Sequence, residues 1–204
     1  MSQSSQPDGW FTILRLAYDS SATQARLLDA AYSEFAARGF AGARVASIAT
    51  AAGANKQAIY LYFGSKEGLF DAVLENRLGI LGDQVSYTPD KFAEYIGDLF
   101  DHLVHNIQLA RLHQWKALER PETTGLQAYS HISKAEALSQ QLGVDASTGM
   151  DIFMLAIAMA QAWTMTSEVV RSIGEDPETR LREHRDTLIF AVSAVLDKAA
   201  TRSR

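Results

Sequence analysis

Apolar residues fall at three- and four-residue spacing in successive blocks along this chain, with glycine or small polar positions between the blocks. Leu27, Leu28, Ala31 and Phe35 form one such stripe, capped ahead by Ser21 or Thr23 and closed by Gly39. Val45, Ile48, Ala49 and Ala52 form the next, a short one over about 45–52, and Gly53 follows at once. A helix ends readily there through a left-handed residue that only glycine adopts cheaply. Asn55 then caps a third helix over about 56–62, whose apolar side is Ile59, Tyr62 and Phe63. Ser65 caps a fourth, which continues through Leu69, Phe70, Val73, Leu74 and Leu78 to about Gly82.

Beyond Gly82 the same period predicts longer helices. Thr88-Pro89 opens the fifth, with Phe92, Ile96, Phe100 and Leu103 inward as far as His105. IQLARLHQWKALERP at 107–121 is the sixth, stopped by Pro121, and a seventh lies within 124–142 and ends at Gly143. Asp145 caps an eighth that runs to about Ile173, with Gly174 as its stop. Asp176-Pro177 opens a ninth that reaches about Ala200. The eighth, DIFMLAIAMAQAWTMTSEVV, is apolar nearly all round, which predicts burial on more than one side. The fold class expected is all-α. The polar start Met1–Gly9 is expected to be disordered and the apolar Trp10–Tyr18 to dock, with 1–20 together read as a flexible arm.

The spacing at 45–63 carries a second message. Ala49, Gly53 and Ile59 stand where a helix-turn-helix needs a small residue at the crossing, a glycine at the turn and an apolar plug between the helices. Charge points the same way. The chain as a whole carries a formal net charge of −5, yet between Phe35 and Lys66 every charged residue is basic: Arg38, Arg44, Lys56 and Lys66. A corner used only for packing would not need that departure, whereas DNA phosphate would reward it. Lys56 and Gln57 open the recognition helix, the end that faces base edges. Glutamine can pair two ways with adenine, lysine reaches guanine or phosphate, and Ala58 is placed for a thymine methyl. Tyr60 lies on the exposed side, three residues after Gln57.

LLDAAYSEFAARGF at 27–40 and IATAAGANKQAIYLYFGSKEGLFDAVL at 48–74 resemble the TetR family of bacterial repressors, in the TetR/AcrR-like manner. The likeness covers the first eighty residues closely and the remainder less specifically. It implies an N-terminal three-helix helix-turn-helix DNA-binding domain joined by a long helix to a helical-bundle ligand-binding and dimerisation domain. The implied division is 1–20 arm, 21–82 DNA-binding domain with the connecting helix, and 83–204 effector-binding and dimerisation domain. By the same resemblance Tyr60, Tyr62 and Lys66 contact phosphate. The family's paired hydroxyls ahead of the second helix are replaced here by Ala43 and Arg44, so Arg44 would supply a phosphate contact by charge from a weakly capped helix start. The last two helices are expected to pair with their copies across a twofold axis, with Ala156, Ala160 and Ala162 among the small residues at that interface. A homodimer also matches a palindromic operator, since one short helix reads few bases. Methionines and aromatics concentrate in the second half, and His113, Trp115, Tyr129, Met150, Met154 and Trp163 are the candidates for a small-molecule effector pocket. The function implied is a ligand-responsive transcriptional regulator, a repressor, with double-stranded DNA, a small-molecule effector and a second copy of the chain as partners.

The remaining composition narrows the field further. Two hundred and four residues suffice for one or two cores, and the absence of cysteine excludes disulfides, thiolate metal sites and cysteine nucleophiles. The longest apolar run, Ile152–Trp163, is too short to cross a bilayer, and WFTILRLA at 10–17 lacks the basic flank of a signal peptide, so a cytoplasmic protein is expected. The rival classes are an enzyme and a helix-turn-helix adaptor that binds protein. The five histidines all lie after residue 100 in no recognisable catalytic motif, so no catalytic residue and no cofactor is expected. Asp98, His102 and His105 share one helical face with Asp101 beside them, which is the only metal-like spacing, and a solvated polar face is the simpler reading.

Overall fold

The computed structural model describes residues 8–122, 125–172 and 176–202, and among them every regular element is helical. The chain divides into two compact units, Met1–Asn76 and Arg77–Arg204. That division falls inside the fourth helix, whereas the sequence places the boundary after Gly82.

The first unit contains α1 (Asp8–Gly42), α2 (Val45–Ala51), α3 (Lys56–Phe63) and the start of α4 (Lys66–Gln84). Leu27, Ala31, Phe35, Ile48, Ala49, Ile59, Leu69 and Phe70 form its buried core, while Leu28, Val45, Tyr62 and Phe63, named from the same periodicity, are only half-buried. Gly39 interrupts α1 with φ 71° and ψ 177°, and beyond it Phe40 packs edge-on to Phe70 at 5.4 Å between ring centroids. Phe35 meets the same ring edge-on at 4.9 Å, an arrangement that aromatic quadrupoles favour.

One expectation is corrected here. Ser21 and Thr23 do not cap α1, because the helix already begins at Asp8 and runs through both. Between Asp8 and Ser20 there is no proline, and the single glycine falls in the first turn, so nothing in that stretch breaks a helix. The backbone of 8–20 is thus helical rather than an arm outside the first helix. The polar residues 1–7, and the side chains through which 10–18 were expected to dock, lie outside the described residues.

The second unit continues with a 3-10 turn (Pro89–Lys91), α5 (Phe92–His105), α6 (Ile107–Glu119), α7 (Gly125–Leu142), α8 (Ala146–Met165), a single turn α9 (Glu168–Arg171) and α10 (Pro177–Arg202). Helix α5 is central. Tyr95, Ile96, Leu99, Phe100 and Leu103 are buried, and it packs against α8 and α10. Two glycines allow close crossings. A Cβ on Gly97 would stand 2.9 Å from Ile189 Cδ1 of α10, and one on Gly149 of α8 would stand 2.8 Å from Ser139 Cβ of α7. Asp145 caps α8 by accepting the backbone N–H groups of Ser147 and Thr148, each at 3.0 Å, together with both hydroxyls. Those hydroxyls and amides hold its carboxyl well below the usual carboxylate range. Asp176 caps α10 in the same manner through Thr179.

The eighth helix is shorter than periodicity predicts. It ends at Met165 instead of near Ile173, because Thr166 leaves helical geometry (ψ 140°) and turns its hydroxyl back onto the Ala162 carbonyl at 2.8 Å. Ser167 then starts α9. Two successive hydroxyl residues offer the backbone an alternative to the helical ladder, and the apolar pattern across them conceals it. The expected stop at Gly174 lies outside the described residues. Among those residues no single helix is long and apolar enough to cross a membrane.

Candidate functional site

The turn between α2 and α3 is fixed by three local devices. Gly53 takes the left-handed conformation (φ 61°), the Asn55 side chain accepts the Ala58 N–H at 2.8 Å, and Arg26 Nε of α1 donates to the Ala52 carbonyl at 3.2 Å. Gly64 (φ 75°) ends α3, and Ser65 starts α4 by accepting the Gly68 N–H at 3.1 Å.

Held at both ends, α3 presents two distinct arcs. Successive residues turn by about 100°, so Lys56, Gln57, Tyr60 and Leu61 share one arc, and all four are exposed. The opposite arc centres on Ile59, which is fully buried, with Ala58, Tyr62 and Phe63 half-buried beside it. Ala58 thus sits on the shoulder of the exposed arc, and Tyr62 sits with one side in the core. The Tyr62 hydroxyl accepts a hydrogen bond from Ser20 Oγ at 3.2 Å.

Arg44 precedes α2 in extended conformation with its side chain exposed and makes no side-chain cap, as the sequence suggests. Its backbone N–H instead donates to Glu34 Oε1 at 3.1 Å, and the same carboxylate pairs with Arg38 at 3.4 Å. Glu34 thereby anchors the residue that precedes the helix, leaving the first-turn N–H groups of α2 without a side-chain cap. Lys66 is half-buried, with Nζ 4.8 Å from the Phe40 ring centroid and 3.4 Å from the Ala41 carbonyl. It therefore ties the start of α4 to the end of α1 while keeping its charge on this surface. Glu34, Ser20 and Leu61 went unmarked in the sequence. The first two act across ten and forty-two residues, and the third is read there as one more apolar residue of a helix.

In the second unit the six effector candidates separate. His113 is largely enclosed by protein. Burial, with His131 and Lys116 nearby, pushes its imidazole down to about 4, so it is neutral at physiological pH. Trp115 and Met150 are half-buried. Trp163 lies tilted against His184 at 4.9 Å and edge-on to Phe100 at 6.4 Å, carries the Arg171 guanidinium at 5.2 Å, and lines a cavity of 260 Å³ with Val104, Arg171 and Leu181. Tyr129 and Met154 face outward, 70% and 53% exposed.

The small-residue interface is corrected too. Ala156 and Ala160 are 1% and 0% exposed within the single chain, so neither can touch a second copy. They face inward because α8 packs there against α5 and α7. Ala162 is exposed, in company with Met154, Leu155, Met165 and, on α10, Phe190 at 73%. The metal-like group is occupied by a cation of the chain itself: Arg185 Nε donates to Asp101 at 2.7 Å and its Nη2 to Asp98 at 3.4 Å, while His105 Nδ1 lies 2.7 Å from the Asp101 carbonyl. Among the described residues no group of three or more ligating side chains is disposed to hold a metal ion.

Residues 27–73 match the family model for bacterial regulatory proteins of the tetR family, and residues 91–193 match that for the tetracyclin repressor-like C-terminal domain. The chain is 33% identical over 190 residues to the HTH-type transcriptional repressor SCO4008 of Streptomyces coelicolor, covering 89% of this chain and 99% of that one. Over 60 residues, 29% of this chain and 28% of that one, it is 45% identical to the HTH-type transcriptional repressor NicS of Pseudomonas putida. The crystal structure of the regulator SCO4942 from Streptomyces coelicolor superposes with a TM-score of 0.71 at 32% identity, over 85% of this chain and 97% of that one.

Proposed function

Since the chain belongs to the TetR family of bacterial regulatory proteins and is a non-enzymatic DNA-binding transcriptional regulator, we propose that it represses transcription as a homodimer on a palindromic operator and is released by a small molecule. The observation that carries this reading is the exposed arc of α3. Lys56, Gln57 and Tyr60 stand outward from a helix locked at both ends, within a surface whose charged residues from Phe35 to Lys66 are all basic. Phosphate attraction supplies affinity there and the helix start supplies base edges. The names of the two repressors to which the chain is similar support repression over activation.

Dimerisation is supported by the apolar residues left outward on α8 and α10. Leu155 and Phe190 are large, exposed and on the helices the family uses for pairing. Effector binding is supported by the cavity beside Trp163. Its accessible surface is mostly apolar with a few polar groups, the composition that small-molecule sites have. The effector acts only through its difference in affinity between the DNA-competent and released conformations. Regulators of this kind work beside the chromosome, so the proposed location is the bacterial cytoplasm.

Selection of duplexes from a random-sequence pool by the purified full-length protein tests the reading. The expected product is an inverted repeat whose half-sites lie about one helical turn apart or a multiple of it. A product with a single unrepeated site would reject the homodimer. Absence of any enriched sequence at low salt would reject operator binding and favour a protein partner for this corner.

A further inference from the structure

Leu61 is 79% exposed, although it is a large aliphatic residue on a helix of eight. Among the described residues nothing covers it, and its neighbours on the arc are Lys56, Gln57 and Tyr60. Four residues of α-helix bring it to within about 40° of Gln57 around the axis and about 6 Å further along. It therefore enters whatever groove Gln57 enters, in a surface whose basic charge selects DNA.

The floor of the major groove offers one apolar group to such a side chain, the 5-methyl of thymine; every other exposed base-edge feature there is a donor or an acceptor. We infer that Leu61 is a specificity-determining residue that reads a thymine methyl, within two base pairs of the adenine that Gln57 pairs with. The 6 Å offset compares with about 3.4 Å per base-pair step, which sets that distance. Leucine thereby selects thymine over cytosine without a hydrogen bond, and the half-site combines one polar reader with one apolar reader. The inference rests on α3 being the helix that enters the groove.

Uracil pairs as thymine does and lacks only the methyl, so it isolates the contact. The probe is the duplex that the full-length protein itself enriches from a random pool, remade with each thymine replaced in turn by uracil. Wild-type protein is expected to lose about fourfold in affinity at the thymine that Leu61 reads in each half-site, the worth of one methyl removed from an apolar contact, and that position is the one whose penalty disappears in Leu61→Ala. Leu61→Ala should bind the thymine duplex as weakly as wild type binds the uracil one, and should lose no more on uracil. Its thermal midpoint should match wild type, since the side chain is exposed. Uracil without effect at every position, or an equal uracil penalty in Leu61→Ala, overturns the assignment while leaving operator binding intact. Failure to enrich any duplex removes the groove contact together with the operator.

Discussion

Ser20 of α1 donates its hydroxyl hydrogen to the Tyr62 phenol at 3.2 Å, joining residues forty-two apart across the first unit. The bond holds the hydroxyl of the half-buried Tyr62, a residue proposed to meet DNA phosphate. Ser20→Ala should therefore weaken binding to all duplexes, and it should lower the thermal midpoint by a few degrees, the worth of one ordinary hydrogen bond of about 1 kcal/mol. Tyr62→Phe should do the same, and the double variant should be no worse than either alone. Additive losses in a gel-shift titration would show that the two act independently.

Base-reading and phosphate-reading residues should fail differently. Gln57→Ala is expected to cost about 1–3 kcal/mol on the operator and little on random DNA. Lys66→Ala and Arg44→Ala should weaken both alike. Each is present twice in the proposed dimer, so each should flatten the slope of log K against log salt by about two. Lys66 also rests on Phe40, so its removal should lower the thermal midpoint, whereas that of Arg44 should not. A titration over several salt concentrations separates the roles. An unchanged slope for Lys66→Ala would take phosphate contact away from it.

Charge placed on the outer face of α8 or α10 should split the proposed dimer without unfolding the chain. Leu155→Glu and Phe190→Glu are expected to sediment as monomers with native circular dichroism, because both side chains are exposed in the single subunit. Ala160→Glu should instead fail to fold, since it forces a carboxylate into a fully buried position. A folded monomer from Ala160→Glu, or dimers from both surface variants, would contradict this division.

His113 should make folding sensitive to acid. Its imidazole titrates near 4 in the folded chain and near 6.5 when unfolded, so the unfolded state binds the proton first as pH falls. The stability that neutral His113 confers is complete above about pH 6.5 and is lost progressively down to about pH 4, on the order of 3 kcal/mol at most. His131 is displaced in the same direction by burial, with Lys134 and Lys116 adding to it. Urea unfolding at pH 7, 6 and 5 should show falling stability in wild type and a shallower fall in His113→Gln. Equal pH dependence in the two would remove His113 as the cause.

Signals confined to a few residues are legible in this sequence. Gly53, Asn55, Ser65, Asp145 and Asp176 act within one turn of themselves, and the structure finds each terminating or capping its helix as the residue type dictates. What is hidden depends on direction. Helix α8 is apolar on every side, so periodicity cannot separate the buried Ala156 and Ala160 from the exposed Ala162, nor the outward Met154 from the inward Phe153. Nor can it distinguish Leu61, an apolar residue facing outward, from Ile59, an apolar residue facing in. Partners remote in sequence, such as Glu34 for Arg44, leave no local trace at all.

The recognition helix is bracketed by Gly53 and Gly64, and a Cβ built on either would meet nothing within 4 Å. Space is therefore not what excludes a side chain at these two positions; handedness is. At Gly53 an L-alanine would be forced against its own carbonyl at a cost of about 1–2 kcal/mol, and Gly64, at φ 75° and ψ −48°, is equally unsuited to an L side chain. Its mirror image is at ease at φ 61° and φ 75°. In a chemically synthesised chain, D-alanine at either site would keep the turn and narrow the freedom of the unfolded backbone, a gain of about 0.4–1 kcal/mol. Genetic encoding has no access to that solution. Both hinges of the DNA-reading helix are held by the one residue that has no hand.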